Sequence, residues 1–140
     1  MVRGIAELKR RLRSIERNVD ATISREMDEI AEDLLDRSQN LANQLGGDLV
    51  NSAEITARNS SDKFTRVVSY DEDYAVVQHE GIDPRTGRPL QPGPITRSKG
   101  GTTDGPAGPK FLQRPFNNNR RRWIEQIAKK TLDAIRRSAR

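Results

Sequence analysis

The stretch from Ile5 to Leu35 reads IAELKRRLRSIERNVDATISREMDEIAEDLL, and it decides the fold. Apolar residues recur through it at intervals of three and four residues, which is the spacing of one face of an α-helix. They are Ile5, Leu8, Leu12, Ile15, Val19, Ile23, Met27, Ile30 and Leu34. Because no proline interrupts this stripe and Gly46-Gly47 offers a stop, the sequence predicts a helix over residues 1–45.

The length of this helix is its most informative property. Forty helical residues would span roughly 60 Å, whereas a compact domain of 140 residues has a radius of gyration of only ~14 Å. Either the helix breaks near residues 18–22, its weakest stretch, and folds back on itself, or it stays whole and its stripe packs on another chain. The sequence leaves both arrangements open.

The composition points to a thin core. Only 33% of the residues are hydrophobic and 4% aromatic, while 32% are charged. With its 10 glycines added the chain reaches about 40%, whereas an ordinary globular domain is about 45–50% apolar on a count that includes glycine. Neighbouring subunits or solvated helix faces would explain the difference.

The charges fall into blocks of opposite sign. Residues 1–19 carry six basic and two acidic side chains, residues 20–36 one and seven, residues 37–84 four and eight, and residues 85–140 fourteen and three. The net charge of +5 is therefore a small remainder of large opposing blocks. Such blocks suit head-to-tail contact between copies of the chain, although any one block is also typical of a solvated face.

The sequence offers few side chains that could catalyse a reaction. The chain has no cysteine and one histidine, His79, which excludes disulfides, thiolate metal sites, cysteine nucleophiles and histidine clusters. His79 and Glu80 are adjacent and would point to opposite faces of a strand. We therefore predict no enzyme activity, no cofactor and no metal. The charged N-terminus and the short apolar runs also predict neither a signal peptide nor a membrane span.

After the first helix the period changes. Residues 48–80 alternate in polarity and predict an antiparallel β-meander, with a first strand from Leu49, a second over residues 64–70, and residues 74–78 as a short strand or the start of a helical turn. Residues 81–110 are rich in Gly and Pro and predict a long extended loop. Residues 115–138 predict a C-terminal helix that is capped by Asn117–Asn119 and packs on the sheet. The fold class is therefore α+β, in a single domain over residues 1–140.

Gly47–Ser52 (GDLVNS), Tyr74–Gly81 and Phe111–Phe116 are three short motifs that follow one another along the chain. They resemble motifs of the tail-component family of tailed bacteriophages, in which the first is similar to the step that follows the long helix. Tyr74–Gly81 (YAVVQHEG) is similar to its Tyr-Ala-x-x-x-Glu-x-Gly signature, and Phe111–Phe116 (FLQRPF) resembles its Phe-Leu-x-Pro-Ala segment at the start of the last helix. The resemblance covers residues 25–138.

The resemblance implies a structural virion protein of the phage head–tail interface. Such neck, tail-completion or tail-terminator subunits form six-fold or twelve-fold rings around the DNA channel and join connector to tail without chemistry. The expected partners are copies of the chain, other neck, connector and tail proteins, and packaged DNA in non-specific contact, with no membrane and no small-molecule substrate. The expected location is the virion, and the host cytoplasm during assembly.

Two sets of site residues follow from these patterns. The predicted subunit interface comprises Leu12, Ile15, Val19, Ile23, Tyr74, His79, Glu80, Arg85, Arg88 and Arg97. The predicted residues facing the DNA channel are Arg120, Arg121 and Arg122. The alternative hypothesis is a basic nucleic-acid-binding accessory protein. It is weakened because consecutive arginines fan around a helix and because Trp123 lies on the apolar stripe rather than among them.

Overall fold

The computed structural model describes residues 2–42, 47–91, 96 and 101–140. Helices dominate both ends of the chain, and the strands lie between them. In chain order the elements are α1 (Val2–Leu41), α2 (Asp48–Asn51), β1 (Ala53–Asn59), β2 (Phe64–Tyr70), α3 (Ala75–Glu80), β3 (Gly101–Thr102), β4 (Gly105–Pro106) and α4 (Gln113–Ser138). The predicted α+β class is confirmed.

Helix α1 is one unbroken element of 40 residues. Its weakest stretch, residues 18–22, is helical throughout, and the Thr22 hydroxyl is satisfied within the helix. The Thr22 Oγ1 donates to the Asn18 carbonyl oxygen at 2.8 Å. Of the two arrangements left open by the sequence, the structure therefore has the long helix rather than the broken one.

The predicted three-stranded meander is a two-stranded hairpin. β1 and β2 pair antiparallel, from Ala53 opposite Tyr70 to Asn59 opposite Phe64. Leu49 lies in the single turn of α2, so the first strand begins at Ala53. Residues 75–80 form α3, the helical alternative, and not a third strand. Gly81 ends α3 in a left-handed conformation (φ 72°), and its N–H bonds to the Val77 carbonyl oxygen.

The core is small and lies where α1 ends. Leu41, Ala42, Leu49, Ala75 and Phe111 are buried together there. Phe111 is only 1% exposed, and its ring makes edge contacts with the rings of Tyr70 and His79, at centroid distances of 5.0 and 5.1 Å. Burial raises the pKa of Tyr70 to about 12, against a smaller lowering by its hydrogen bond with Ser38.

Helix α4 runs antiparallel along α1, and this corrects the prediction that it packs on the sheet. Hydrogen bonds that join the two helices include Asn18–Ser138 at 2.8 Å, Gln126–Glu26 at 2.8 Å and Trp123–Asp33 at 3.0 Å. The hairpin lies against another side of α1, where Arg66 bonds to Asp28 and Tyr70 bonds to Ser38. Helix α1 is thus the shared support of both other layers.

The predicted cap of the last helix is wrong as well. Helix α4 begins at Gln113, so Asn117–Asn119 lie inside it. Pro115 is accepted because it stands in the first turn, where no intrahelical N–H is required. Asn119 is buried, and its Nδ2 donates to the Pro115 carbonyl oxygen at 2.7 Å and to Asp104 at 3.1 Å.

Candidate assembly surfaces

The first surface is the N-terminal part of α1, residues 4–17, which we call the arm. The last hydrogen bond between the helices joins Asn18 to Ser138 at the end of α4, so the arm extends past its partner helix. The apolar side chains of Ile5, Leu8 and Leu12 are 60%, 58% and 56% exposed. An isolated helix of this length is of marginal stability in water. We therefore expect contact with another molecule to stabilise the arm and bury its apolar side chains.

The predicted interface stripe spans the boundary of the arm. Leu12 is exposed, while Ile15, Val19 and Ile23 are half-buried. Ile5 and Leu8 belong to the same surface and were missing from the predicted site, although their spacing of three and four residues was the signal for them.

The second surface is an apolar groove of about 400 Å³ beside the middle of α1. It lies between α1, β2, the end of α3 and the start of α4. We call it the groove, and its lining residues are Met27, Ile30, Ala31, Leu34, Arg66, Val68, His79, Leu112, Gln113, Phe116 and Trp123. The sequence placed some of these residues on the helix stripe, but the walls from β2 and α4 depend on tertiary packing.

The third surface is the outer side of α4. Ile124, Leu132 and Ile135 are 65%, 47% and 39% exposed. Ile124 and Ile135 are eleven residues apart and so point in directions that differ by only about 20°. Together with the arm and the groove, this face leaves a large part of the apolar surface uncovered by the chain itself.

His79 and Glu80 form a clamp between elements. Because α3 is helical, the two side chains do not point to opposite faces, and His79 Nδ1 lies 3.3 Å from Glu80 Oε1. The Gln113 N–H donates to His79 Nε2 at 3.4 Å, and Lys110 forms an ion pair with Glu80. The hydrogen bonds from Lys110 and then His79 hold the pKa of Glu80 below its usual range. This clamp ties α3 to the start of α4.

The other predicted interface residues are dispersed. Tyr74 packs against the core of its own chain, where burial, then Glu72 and Asp48, raise its pKa. Arg85 and Arg88 are exposed in a turn in which Asp83 accepts the Arg85 N–H at 2.8 Å. Arg97 lies outside the described residues. The interface role of all these residues stays a prediction.

A buried acid anchors part of the Gly/Pro-rich segment. Asp104 accepts hydrogen bonds from Arg37 at 3.0 Å, Asn118 at 3.3 Å and Asn119 at 3.1 Å. Burial pushes the pKa of Asp104 upward, but these hydrogen bonds outweigh it and hold the pKa below its usual range. No sequence pattern distinguishes Asp104 from other loop acids, so its role could not be predicted.

The three arginines at the start of α4 point in different directions. Arg121 pairs along the helix with Glu125 at 3.3 Å, and Arg122 reaches Asp33 of α1 at 3.3 Å. Trp123 is 4% exposed, which confirms that it is a core residue and not a base-stacking platform. Part of the basic charge of α4 therefore neutralises the acidic block of its own α1.

The described residues lack two kinds of feature. No helix among them has the length and apolarity required to cross a membrane. The same residues contain no group of three or more potential metal ligands.

No family model, no curated protein and no solved structure matches the chain. Its function is therefore inferred from these surfaces and from the motif resemblance.

Proposed function

We propose that this protein is a structural virion subunit of the phage head–tail interface. In this role it forms a six-fold or twelve-fold ring around the DNA channel, as a neck, tail-completion or tail-terminator component, and joins connector to tail. The observation that carries the proposal is the arm, whose apolar residues are more than half exposed at the end of an otherwise packed helix. A subunit completed by its neighbours has a reason to expose such a surface.

The positions of the three motifs also support the proposal. Gly47–Ser52 lies at α2, Tyr74–Gly81 at α3, and Phe111–Phe116 at the start of α4. Each motif contributes one residue to the same buried cluster, namely Leu49, Ala75 and Phe111. The three motifs are distant in sequence and meet in one core, as expected of motifs that specify a fold.

In this role the protein binds its neighbours and performs no chemistry. The clamp of His79 and Glu80 and the anchor at Asp104 hold elements of the fold together, which suits structural residues. The partners would be other copies, the adjoining neck, connector and tail proteins, and DNA passing through the channel. Any contact of Arg120–Arg122 with that DNA would be through phosphates and independent of sequence.

A genetic test follows from exposure of the arm. The gene is inactivated in the phage that carries it, and lysates are imaged by electron microscopy. We expect filled heads and separate tails that fail to join, with rescue by the wild-type gene. A variant with Leu8→Asp and Leu12→Asp should fail to rescue, whereas Val76→Asp, at a residue that is 71% exposed on α3, should rescue. Complete, infectious particles without the protein would contradict the proposal.

DNA binding by the free protein distinguishes the alternative role. A nucleic-acid-binding accessory protein would bind duplex DNA tightly as a monomer, with an affinity that falls steeply with salt concentration. The structural role predicts weak binding by the monomer. Tight, salt-sensitive binding without oligomerisation would therefore overturn the virion proposal in favour of the accessory role.

A further inference from the structure

Helix α1 carries both an uncovered apolar segment and an open apolar groove. The arm exposes Ile5, Leu8 and Leu12, and the groove is lined further along the same helix by Met27, Ile30 and Leu34. The intervals are three then four residues in the arm, and three then four in the groove. The arm has no apolar partner in its own chain, and the groove has no occupant there. The arm of one copy and the groove of another could therefore cover each other.

We propose that the arm of one copy lies in the groove of a second copy, with the two α1 helices antiparallel about a twofold axis near Val19. In this register Ile5 stands opposite Leu34, Leu12 stands opposite Met27, and Leu8 falls between Ile30 and Ala31. An interface about a twofold axis must be self-complementary, since residue i of one copy meets residue j of the other and the reverse. The stripe of α1 meets this requirement to within one residue along its length.

Charge selects the antiparallel direction. The arm, residues 4–17, holds five basic and two acidic side chains, whereas residues 20–36 hold one and seven. Antiparallel pairing places the basic arm beside the acidic half of the other copy. Parallel pairing would place basic beside basic and acidic beside acidic, and such like-charge contacts disfavour the wrong arrangement.

The antiparallel pair is a separate proposal from the virion role and does not depend on it. A twofold pair has no polarity, whereas a ring that joins two different structures has one face for each. The pair is therefore the form of the free subunit, in which the arm is covered before the subunit meets its final neighbours. An exposed apolar arm would otherwise be an aggregation liability.

Disulfide mapping tests this arrangement in the full-length protein. The chain has no cysteine, so every introduced thiol is unique. Under mild oxidation Val19→Cys, close to the axis, should form a homodimer, while Leu8→Cys alone should not. A mixture of Leu8→Cys and Ile30→Cys should form the mixed dimer. Val76→Cys is the matched control, an exposed apolar position on α3.

Disulfide formation is expected to be much faster in Val19→Cys than in Val76→Cys. Paired thiols meet at an effective concentration of about millimolar, so at micromolar protein Val19→Cys should react roughly a thousandfold faster than Val76→Cys. Faster self-coupling of Leu8→Cys than of Val19→Cys would show a parallel pair and overturn the proposal. Equal rates for Val19→Cys and Val76→Cys would also overturn it.

Two safeguards keep the test decisive. Val19 is half-buried, so a melting curve checks that its variant folds. If it does not fold, the mixture of Leu8→Cys with Ile30→Cys provides the result, because Leu8 is exposed. Free protein that forms neither the Val19→Cys homodimer nor the mixed dimer, together with rings in the particle, would remove the pair and leave the virion proposal intact.

Discussion

The two halves of α1 share one periodicity and have opposite environments. In the C-terminal half Ala31, Ser38 and Leu41 are 3%, 0% and 0% exposed. Ser38 contacts Tyr70 of the hairpin, and Leu41 lies in the core with Leu49, Ala75 and Phe111. In the arm Ile5, Leu8 and Leu12 are more than half exposed. An apolar stripe therefore specifies which face of a helix is to be covered, but not whether its own chain or another molecule covers it.

Polar residues show the same contrast. In the covered half Ser38 shares a hydrogen bond of 2.6 Å with the Tyr70 hydroxyl, and Glu26, at 2% exposure, accepts from Gln126. In the arm Glu7 and Arg11 form an exposed pair along the helix, a type of interaction worth only about 0.3–0.5 kcal/mol. Tertiary contacts thus stabilise one half, and the arm has to gain its stability elsewhere.

The largest effect is expected in the core at the covered end. Phe111→Ala should lower the free energy of unfolding by about 3–5 kcal/mol, because it leaves a cavity among well-packed neighbours. The matched control is Phe116→Ala, at a residue that is 47% exposed, which should cost about 1 kcal/mol or less. Urea unfolding measures both. Equal costs would show that the core is not where the burial pattern places it.

The next effect concerns the polar anchor. Asp104→Ala should cost about 2–4 kcal/mol, because it leaves Arg37 and Asn119 without a buried acceptor. Asp73→Ala, in an exposed turn, is the control and should change stability by less than about 0.5 kcal/mol. A similar cost for the two variants would contradict the anchoring role.

The anchor also has a pH signature. Since the folded-state pKa of Asp104 lies below its usual value, its contribution is complete above the unfolded-state pKa of about 4. It is lost as the pH falls through the lower, folded-state value. The stability difference between wild type and Asp104→Ala should therefore shrink below about pH 4. A difference as large in acid as at neutral pH would rule out this linkage.

The sequence predicted the local periodic pattern of α1 better than it predicted the tertiary packing. The stripe from Ile5 to Leu34 gave the helix and its apolar face, since that pattern is local. It could not reveal that α4 lies on α1, because this depends on pairs such as Trp123 with Asp33, ninety residues apart. Residues 74–78 fitted either a short strand or the start of a helical turn, and the structure has the helix α3, which Gly81 ends and from which Ala75 enters the core. The groove was missed because its walls come from four separate elements.

The smallest effect on the stability of the single subunit is expected in the arm. Replacing Leu8 and Leu12 with Asp should change the free energy of unfolding of the dilute monomer by less than about 0.5 kcal/mol per site, because these residues contact solvent there. Chemical unfolding at low protein concentration measures this. A loss of several kcal/mol would mean that the arm is already packed within its own chain.

Sedimentation equilibrium of the purified full-length protein over a range of concentrations tests most directly whether another copy covers the arm. We predict that the wild type and the Val76→Asp control form species larger than the monomer of 15.8 kDa, while the variant with Leu8→Asp and Leu12→Asp stays monomeric. A wild type that is monomeric at every concentration, or an arm variant that associates as the wild type does, would contradict the account.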